Sequence, residues 1–201
     1  MQTNTLTDHE LVRQYQRGNE QALASLIQMH KQRIFTAIYM FVRDRYIAED
    51  IFQETFIKIV QRLRDDAYHE EGKFLPWALR IANNLCIDYY RKTKRTPKVK
   101  VTTQDGKDIF SFMNFSDDGN AEQSMVRKEA HERVRKLVNL LPPEQKEVVV
   151  FRHYADLSFK EIADLTNVPV NTCLGRMRYA LINMRRMMAE KKIAQIGRAH
   201  V

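Results

Sequence analysis

A chain of 201 residues has room for one ordinary domain or two small ones, and its 44% apolar content allows a core in each half. No apolar run approaches a membrane span and the N-terminus lacks a signal peptide's apolar segment, so the expected setting is cytoplasmic, without membrane insertion. The net charge of +8 is uneven: residues 1–92 carry 13 basic and 12 acidic side chains, residues 93–122 carry 5 of each, and residues 123–201 carry 15 and 8.

The first predicted element opens at a capping box, Thr7-Asp8-His9-Glu10, and closes at Gly18. Asn19 caps a second helix whose buried stripe is Ala22, Leu23, Leu26, Ile27, Ile34 and Ile38. Residues Arg43 to Ile47 read as a connection, and a third helix spans about Ala48 to Leu63, with Ile51, Phe52, Phe56, Val60 and Leu63 apolar. Asp65 to Lys73 is a polar loop. A fourth helix carries Pro76 in its first turn and reaches about Lys92. Phe74, Trp77, Ala78, Ile81, Leu85 and Tyr89 cover one wide face, with Leu75, Leu79 and Cys86 elsewhere round it, so this helix is expected at the centre of a bundle. Trp77 lies on the apolar face, which favours core packing over base stacking.

Periodicity vanishes from Thr93 to Glu122, a stretch read as a flexible linker. Phe110, Phe112 and Phe115 are unusual there. Docking on a partner and packing on one of the domains both account for them. A second helical domain then begins near Ala121 with Val126, Ala130, Val134, Leu137, Val138 and Leu141 as its stripe. Pro142-Pro143-Glu144 starts a further helix with Val148, Val149 and Phe151 inward.

Ser158 to Met184 reads as a helix-turn-helix. Ser158-Phe159-Lys160-Glu161 is a second capping box, with Ile162, Ala163 and Leu165 inward. Asn167 suits a left-handed turn before Pro169. On the next helix Cys173, Met177, Ala180 and Met184 form an apolar stripe, and Asn171, Gly175, Arg178, Tyr179, Arg185 and Arg186 take the opposite face. A basic, groove-sized helix in the charge-rich third of the chain points to nucleic acid. Residues 196–201 show no pattern.

Chemistry finds little support. Cys86 and Cys173 sit in apolar helical patterns and are expected as reduced, packed thiols. No metal-ligand spacing, phosphate loop or nucleophile elbow occurs. Asp65-Asp66 and Glu70-Glu71 are adjacent in sequence and suit a solvated loop, so neither cofactor nor metal is expected and no catalytic residue is assigned.

Four segments in order carry a family resemblance: Ala48 to Phe56, Phe74 to Lys92, Leu140 to Glu144, and Ser158 to Thr172. Together they resemble extracytoplasmic-function sigma factors of bacterial RNA polymerase, in the sigma-70 family. The resemblance implies an all-α chain of two small helical domains. Residues 1–95 would bind core polymerase and recognise and melt the −10 element, 96–122 would be the linker, and 123–192 would read the −35 element, followed by an unpatterned tail, 193–201. It implies a non-catalytic specificity subunit, with core polymerase, promoter DNA and an anti-sigma factor as partners and no small-molecule substrate.

By that resemblance Asp50, Gln53 and Glu54 would meet the polymerase, and Lys73, Arg80, Asn84, Arg91 and Lys92 the −10 DNA. Glu70, Glu71, Gly72 and Lys73 lie where the family captures a flipped base. Asn171, Thr172, Gly175, Arg176, Arg178 and Tyr179 would meet the −35 DNA, Arg178 being placed to take a guanine and Arg176 a phosphate or a structural partner. Two positions depart from the family pattern: Leu174 replaces a basic or polar residue and Gly175 a serine. The competing reading is a freestanding helix-turn-helix regulator that binds an operator as a dimer, which leaves the N-terminal bundle and the linker without a purpose. A nucleic-acid-processing enzyme is a third class, for which no site is found.

Overall fold

The computed structural model describes residues 6–65, 68, 73–95 and 121–198. Among them are eight α-helices and one π-helical turn, and no strand. The all-α expectation holds. Contacts group the chain into two compact units, residues 1–97 with 150–173 and residues 98–149 with 174–201. The grouping cuts across chain order and falls inside the last helix.

In the first unit α1 (Asp8–Gln16) starts at the expected capping box: the Glu10 amide donates to Thr7 Oγ1 at 3.4 Å and the Thr7 amide to Glu10 Oε2 at 2.7 Å. Gly18, at φ +96°, supplies the turn that ends it. α2 (Glu20–Val42) is capped by Asn19, which accepts from Gln21 at 3.1 Å. Ala22, Leu26, Ile34 and Ile38 are buried as the pattern requires, while Leu23 and Ile27 are only half-buried. The buried His30 ring meets Asp8 Oδ1 at 2.8 Å and ties α2 to α1.

The third helix departs from expectation. α3 spans Arg45–Arg64 because Asp44 caps it, accepting from the Ile47 amide at 3.1 Å. The connection therefore shrinks to Arg43, which is left-handed at φ 60°, and Asp44. α4 (Phe74–Arg95) is the central helix. It packs on α2, on α3 and on the helical residues 159–166. Phe74, Leu75, Trp77, Ala78, Leu79, Ile81, Ala82, Leu85 and Cys86 are all buried, which leaves little of its circumference outside as far as Cys86; Ile87, Asp88, Tyr90, Arg91 and Lys92 beyond it are exposed. Trp77 stacks edge-on against Tyr68 at 4.7 Å, so it belongs to the core. Tyr89, expected on the same face, is half-buried.

Residues 150–173 complete this unit. A π-helical turn, Val150–Tyr154, was not foreseen; it packs on α2, with Phe151 against Phe41 at 5.5 Å. α7 (Phe159–Thr166) has the expected capping box, the Ser158 amide donating to Glu161 Oε2 at 2.7 Å and the Glu161 amide to Ser158 Oγ at 3.2 Å. Asn167 is left-handed at φ 56°, and the Val168 amide reaches back to the Ala163 carbonyl at 3.1 Å.

In the second unit α5 (Ala121–Asn139) packs on α6 (Pro143–Val149). Leu137, Val138 and Leu141 are buried. Ala130 and Val134 are exposed, so the expected stripe buries only its C-terminal end among the described side chains. The last helix, α8 (Val170–Arg198), runs beyond the pattern read for it and takes in residues 196–198. Cys86 and Cys173 are buried thiols not joined in a disulfide. The expectation for Phe110, Phe112 and Phe115 lies outside the described residues.

Candidate nucleic-acid interface

The decisive element is α8. Its turn is fixed by Asn167 and its first amides are taken by the Pro169 carbonyl, which accepts from Thr172 at 2.9 Å and Cys173 at 3.3 Å. Cys173 is 0%, Met177 8% and Ala180 0% exposed, whereas Tyr179 is 61% exposed and Asn171, Thr172 and Arg178 are also outside. An apolar seam held inward fixes which side chains face out, since residues three or four apart share a helix face. The orientation expected from the sequence is the one observed.

Arg176 stands apart from its neighbours. It is half-buried and pairs with Glu147 at 3.9 Å. A helical position close to the seam accounts for that. Farther along, Asn183 donates to Gln145 at 2.8 Å and anchors α8 to α6. Beyond these anchors the exposed face continues with Arg185 and Arg186.

On α4 the polar strip is narrow. Asn84, Arg91 and Lys92 are exposed along one side, and Lys73 is exposed where its carbonyl caps the helix, accepting from Trp77 at 3.2 Å. Arg80, on the same strip, is half-buried and donates to the Asp164 carbonyl at 3.5 Å. Arg91 pairs with Asp88 at 3.7 Å, both well exposed. Tyr90 donates to the Phe41 carbonyl, and burial pushes its phenol above the usual range. Glu70, Glu71 and Gly72 lie outside the described residues, so only Lys73 of the expected loop pocket is seen.

On α3, Asp50, Gln53 and Glu54 are exposed, and Glu54 pairs with Lys58 at 3.5 Å. Sequence reading missed two neighbours on this face. Tyr46 and Ile57 are 74% and 57% exposed and fall four residues from Asp50 and from Gln53 respectively. Tyr46 was hidden because the helix was expected to start after it. Ile57 carried no signal beyond its failure to match the buried stripe. A hollow lined by Tyr15, Gln16, Gly18, Glu20, Leu63 and Arg64 contains none of the candidate residues. No group of side chains suited to a metal ion occurs among the described residues.

Comparison with known proteins matches the same elements. Residues 26–96 match the Sigma-70 region 2 model and residues 131–181 the Sigma-70, region 4 model, together more than half of the chain. The chain belongs to the sigma-70 family, in its extracytoplasmic-function branch. A sigma factor binds core RNA polymerase and directs promoter-specific initiation. Among relatives, it is 27% identical over 180 residues to the ECF RNA polymerase sigma factor SigW of Bacillus subtilis, covering 89% of this chain and 95% of that one. It is 29% identical over 171 residues to the RNA polymerase sigma-H factor of Pseudomonas aeruginosa, covering 85% and 88%.

Two solved structures share the fold. CnrH, in complex with the cytosolic domain of CnrY, matches with a TM-score of 0.65 at 21% identity, over 91% of this chain and 97% of the other. The sigma factor RpoE in complex with the anti-sigma factor NepR, from Bartonella quintana, matches with a TM-score of 0.60 at 14% identity, over 83% and 96%. No described helix of this sigma factor is long and apolar enough to cross a membrane.

Proposed function

We propose that this sigma factor divides its work between two faces, residues 1–95 engaging core polymerase and the −10 element and residues 123–192 reading the −35 element, with 96–122 as the linker. Asp50, Gln53 and Glu54 meet the polymerase, with Tyr46 and Ile57 as apolar contacts beside them. Buried aromatic and aliphatic anchors supply most interface energy, while rim charges set orientation. Lys73, Arg80, Asn84, Arg91 and Lys92 hold the −10 strand. Asn171, Thr172, Gly175, Arg178 and Tyr179 face the −35 duplex, and Arg176 braces α8 through Glu147, leaving its phosphate role secondary.

The observation that carries this reading is the orientation of α8, with Cys173, Met177 and Ala180 inside and Arg178 and Tyr179 outside. It presents a polar, basic helix face of the size a major groove admits. On this reading the chain is a non-catalytic subunit without a cofactor, it works in the cytoplasm alongside the polymerase, and its activity is held by an anti-sigma factor. The structural relatives solved with such partners, or with the cytosolic domain of another protein, support that last point.

The test is competition. The full chain should displace the primary sigma factor from core polymerase and support transcription in vitro from a promoter mapped after controlled overexpression. Failure to compete for core overturns the reading. Tight operator binding by a dimer without polymerase would favour a freestanding regulator, a reading that gives the region 2 match no purpose.

A further inference from the structure

Two features at the start of α8 have no internal explanation. Leu174 is 45% exposed, on the outward side of a helix that already buries Cys173 and Met177. Gly175 sits next to it, and a Cβ added there meets nothing within 4 Å. Packing inside the chain therefore does not ask for a missing side chain at the second position, and at the first it leaves nearly half of a leucine outside. Both choices also cost something: an apolar side chain stands in water, and glycine weakens a helix by roughly 1 kcal/mol against alanine.

Position on the helix suggests what they serve. Asn171, Leu174 and Arg178 are spaced three and four apart, so they form one strip, and Gly175 lies between Asn171 and Arg178 on the same face. Leu174 is thus an apolar side chain set between two residues suited to hydrogen-bonding base edges. In the major groove the one apolar group a base pair presents is the thymine C5-methyl. Four helical residues rise about 6 Å, against about 3.4 Å per base step. Leu174 would therefore meet a base within about two steps of the one facing Arg178.

We propose that Leu174 is a specificity-determining residue that reads the methyl group of a thymine in the −35 element, and that Gly175 supplies the clearance that lets α8 seat close enough for it to do so. The inference rests on α8 being the −35-reading helix. An exposed leucine gains by covering a methyl group and gains nothing over cytosine, whose edge there is a polar amino group. With Arg178 taking a guanine within about two steps, the pair would read two bases of different chemistry from one strip.

The experiment uses holoenzyme, assembled from core polymerase and the full chain, on promoter duplexes in which each −35 thymine is replaced singly by deoxyuridine. That change removes one methyl group and leaves every hydrogen-bonding group in place. One replacement should weaken wild-type binding about fourfold, the value of one buried methyl-sized group, and should leave Leu174→Ala holoenzyme indifferent. Wild-type binding unchanged by every deoxyuridine, or an equal penalty in Leu174→Ala, overturns the role of Leu174.

Gly175→Ala should raise the melting temperature of the free chain yet weaken binding to the −35 element. Equal or tighter binding by this variant overturns the clearance argument. A scrambled −35 element separates the two levels. If scrambling does not weaken wild-type holoenzyme, the reading of α8 fails and this inference with it. If scrambling weakens binding and deoxyuridine does not, only the inference fails.

Discussion

α4 and α8 present their candidate DNA contacts in opposite ways. From Phe74 to Cys86 α4 is buried almost all round, and its polar strip is a thin line of Asn84, Arg91 and Lys92, with Arg80 already bonded to the Asp164 carbonyl. α8 hides one seam and, among its described side chains, leaves Asn171, Thr172, Arg178 and Tyr179 to solvent. In α4 the fold and the contact strip share one helix, so an error in either is felt by both. In α8 the exposed candidate contacts contribute little to stability, so they can be changed without disturbing the seam. The contrast teaches where stability and recognition can be separated by mutation.

The largest effect should come from the core of α4. Phe74 is fully buried and lies against His30 at 5.4 Å, Trp77 at 5.9 Å and Tyr68 at 6.4 Å. Phe74→Ala should cost about 3–5 kcal/mol in urea denaturation, and core binding should fall with it. A loss below about 1 kcal/mol would mean that the site collapses freely around the cavity, and the picture of a tightly wedged α4 would fail.

Arg178→Ala in α8 should show the reverse profile. Promoter binding should weaken by about 1–3 kcal/mol if the guanidinium takes a base, while the melting temperature stays put because the side chain is exposed. Binding measured on a scrambled −35 duplex sharpens the result. A similar loss there makes Arg178 a phosphate contact, since backbone contacts carry no sequence information.

What the sequence disclosed follows the same division. Local rules were readable: both capping boxes, the Asn167 turn and the seam of α8 depend on residues within a few positions of one another. The start of α3 is not legible in the same way: Asp44 stands in a polar stretch that reads as a connection, yet its side chain accepts from the Ile47 amide and caps the helix. The π-helical turn at Val150–Tyr154 leaves no compositional mark, since Val150, Phe151 and Ala155 look like ordinary helical core. Partnership was the least legible layer. Nothing near Arg80 or Arg176 in sequence announces Asp164 or Glu147, which meet them only through the fold.

Asn84 tests the α4 strip with a smaller effect. It is exposed on a helix turn whose neighbours are buried, so Asn84→Ala should leave stability nearly unchanged. Loss of one hydrogen bond to an unpaired base is worth about 1 kcal/mol, or roughly fivefold in the open fraction. Permanganate reactivity of unpaired thymines should fall by that factor while binding to closed duplex holds. Equal losses in both steps would move Asn84 out of the opening step and make the strip a general docking surface.

The smallest effect should be the most particular. Asp88 and Arg91 form a solvent-exposed pair at 3.7 Å, with side chains 68% and 72% exposed. Such pairs contribute about 0–1 kcal/mol, so Asp88→Asn should leave the melting temperature where it was. DNA binding should instead tighten, because Arg91 loses a competitor for phosphate and a negative charge leaves the strip. The gain should be clear at low salt and fade as ionic strength rises, as screening weakens exposed charges first. Unchanged affinity at low salt would show that Arg91 does not meet phosphate. The α4 strip would then shrink toward Asn84, and its contrast with α8 would widen.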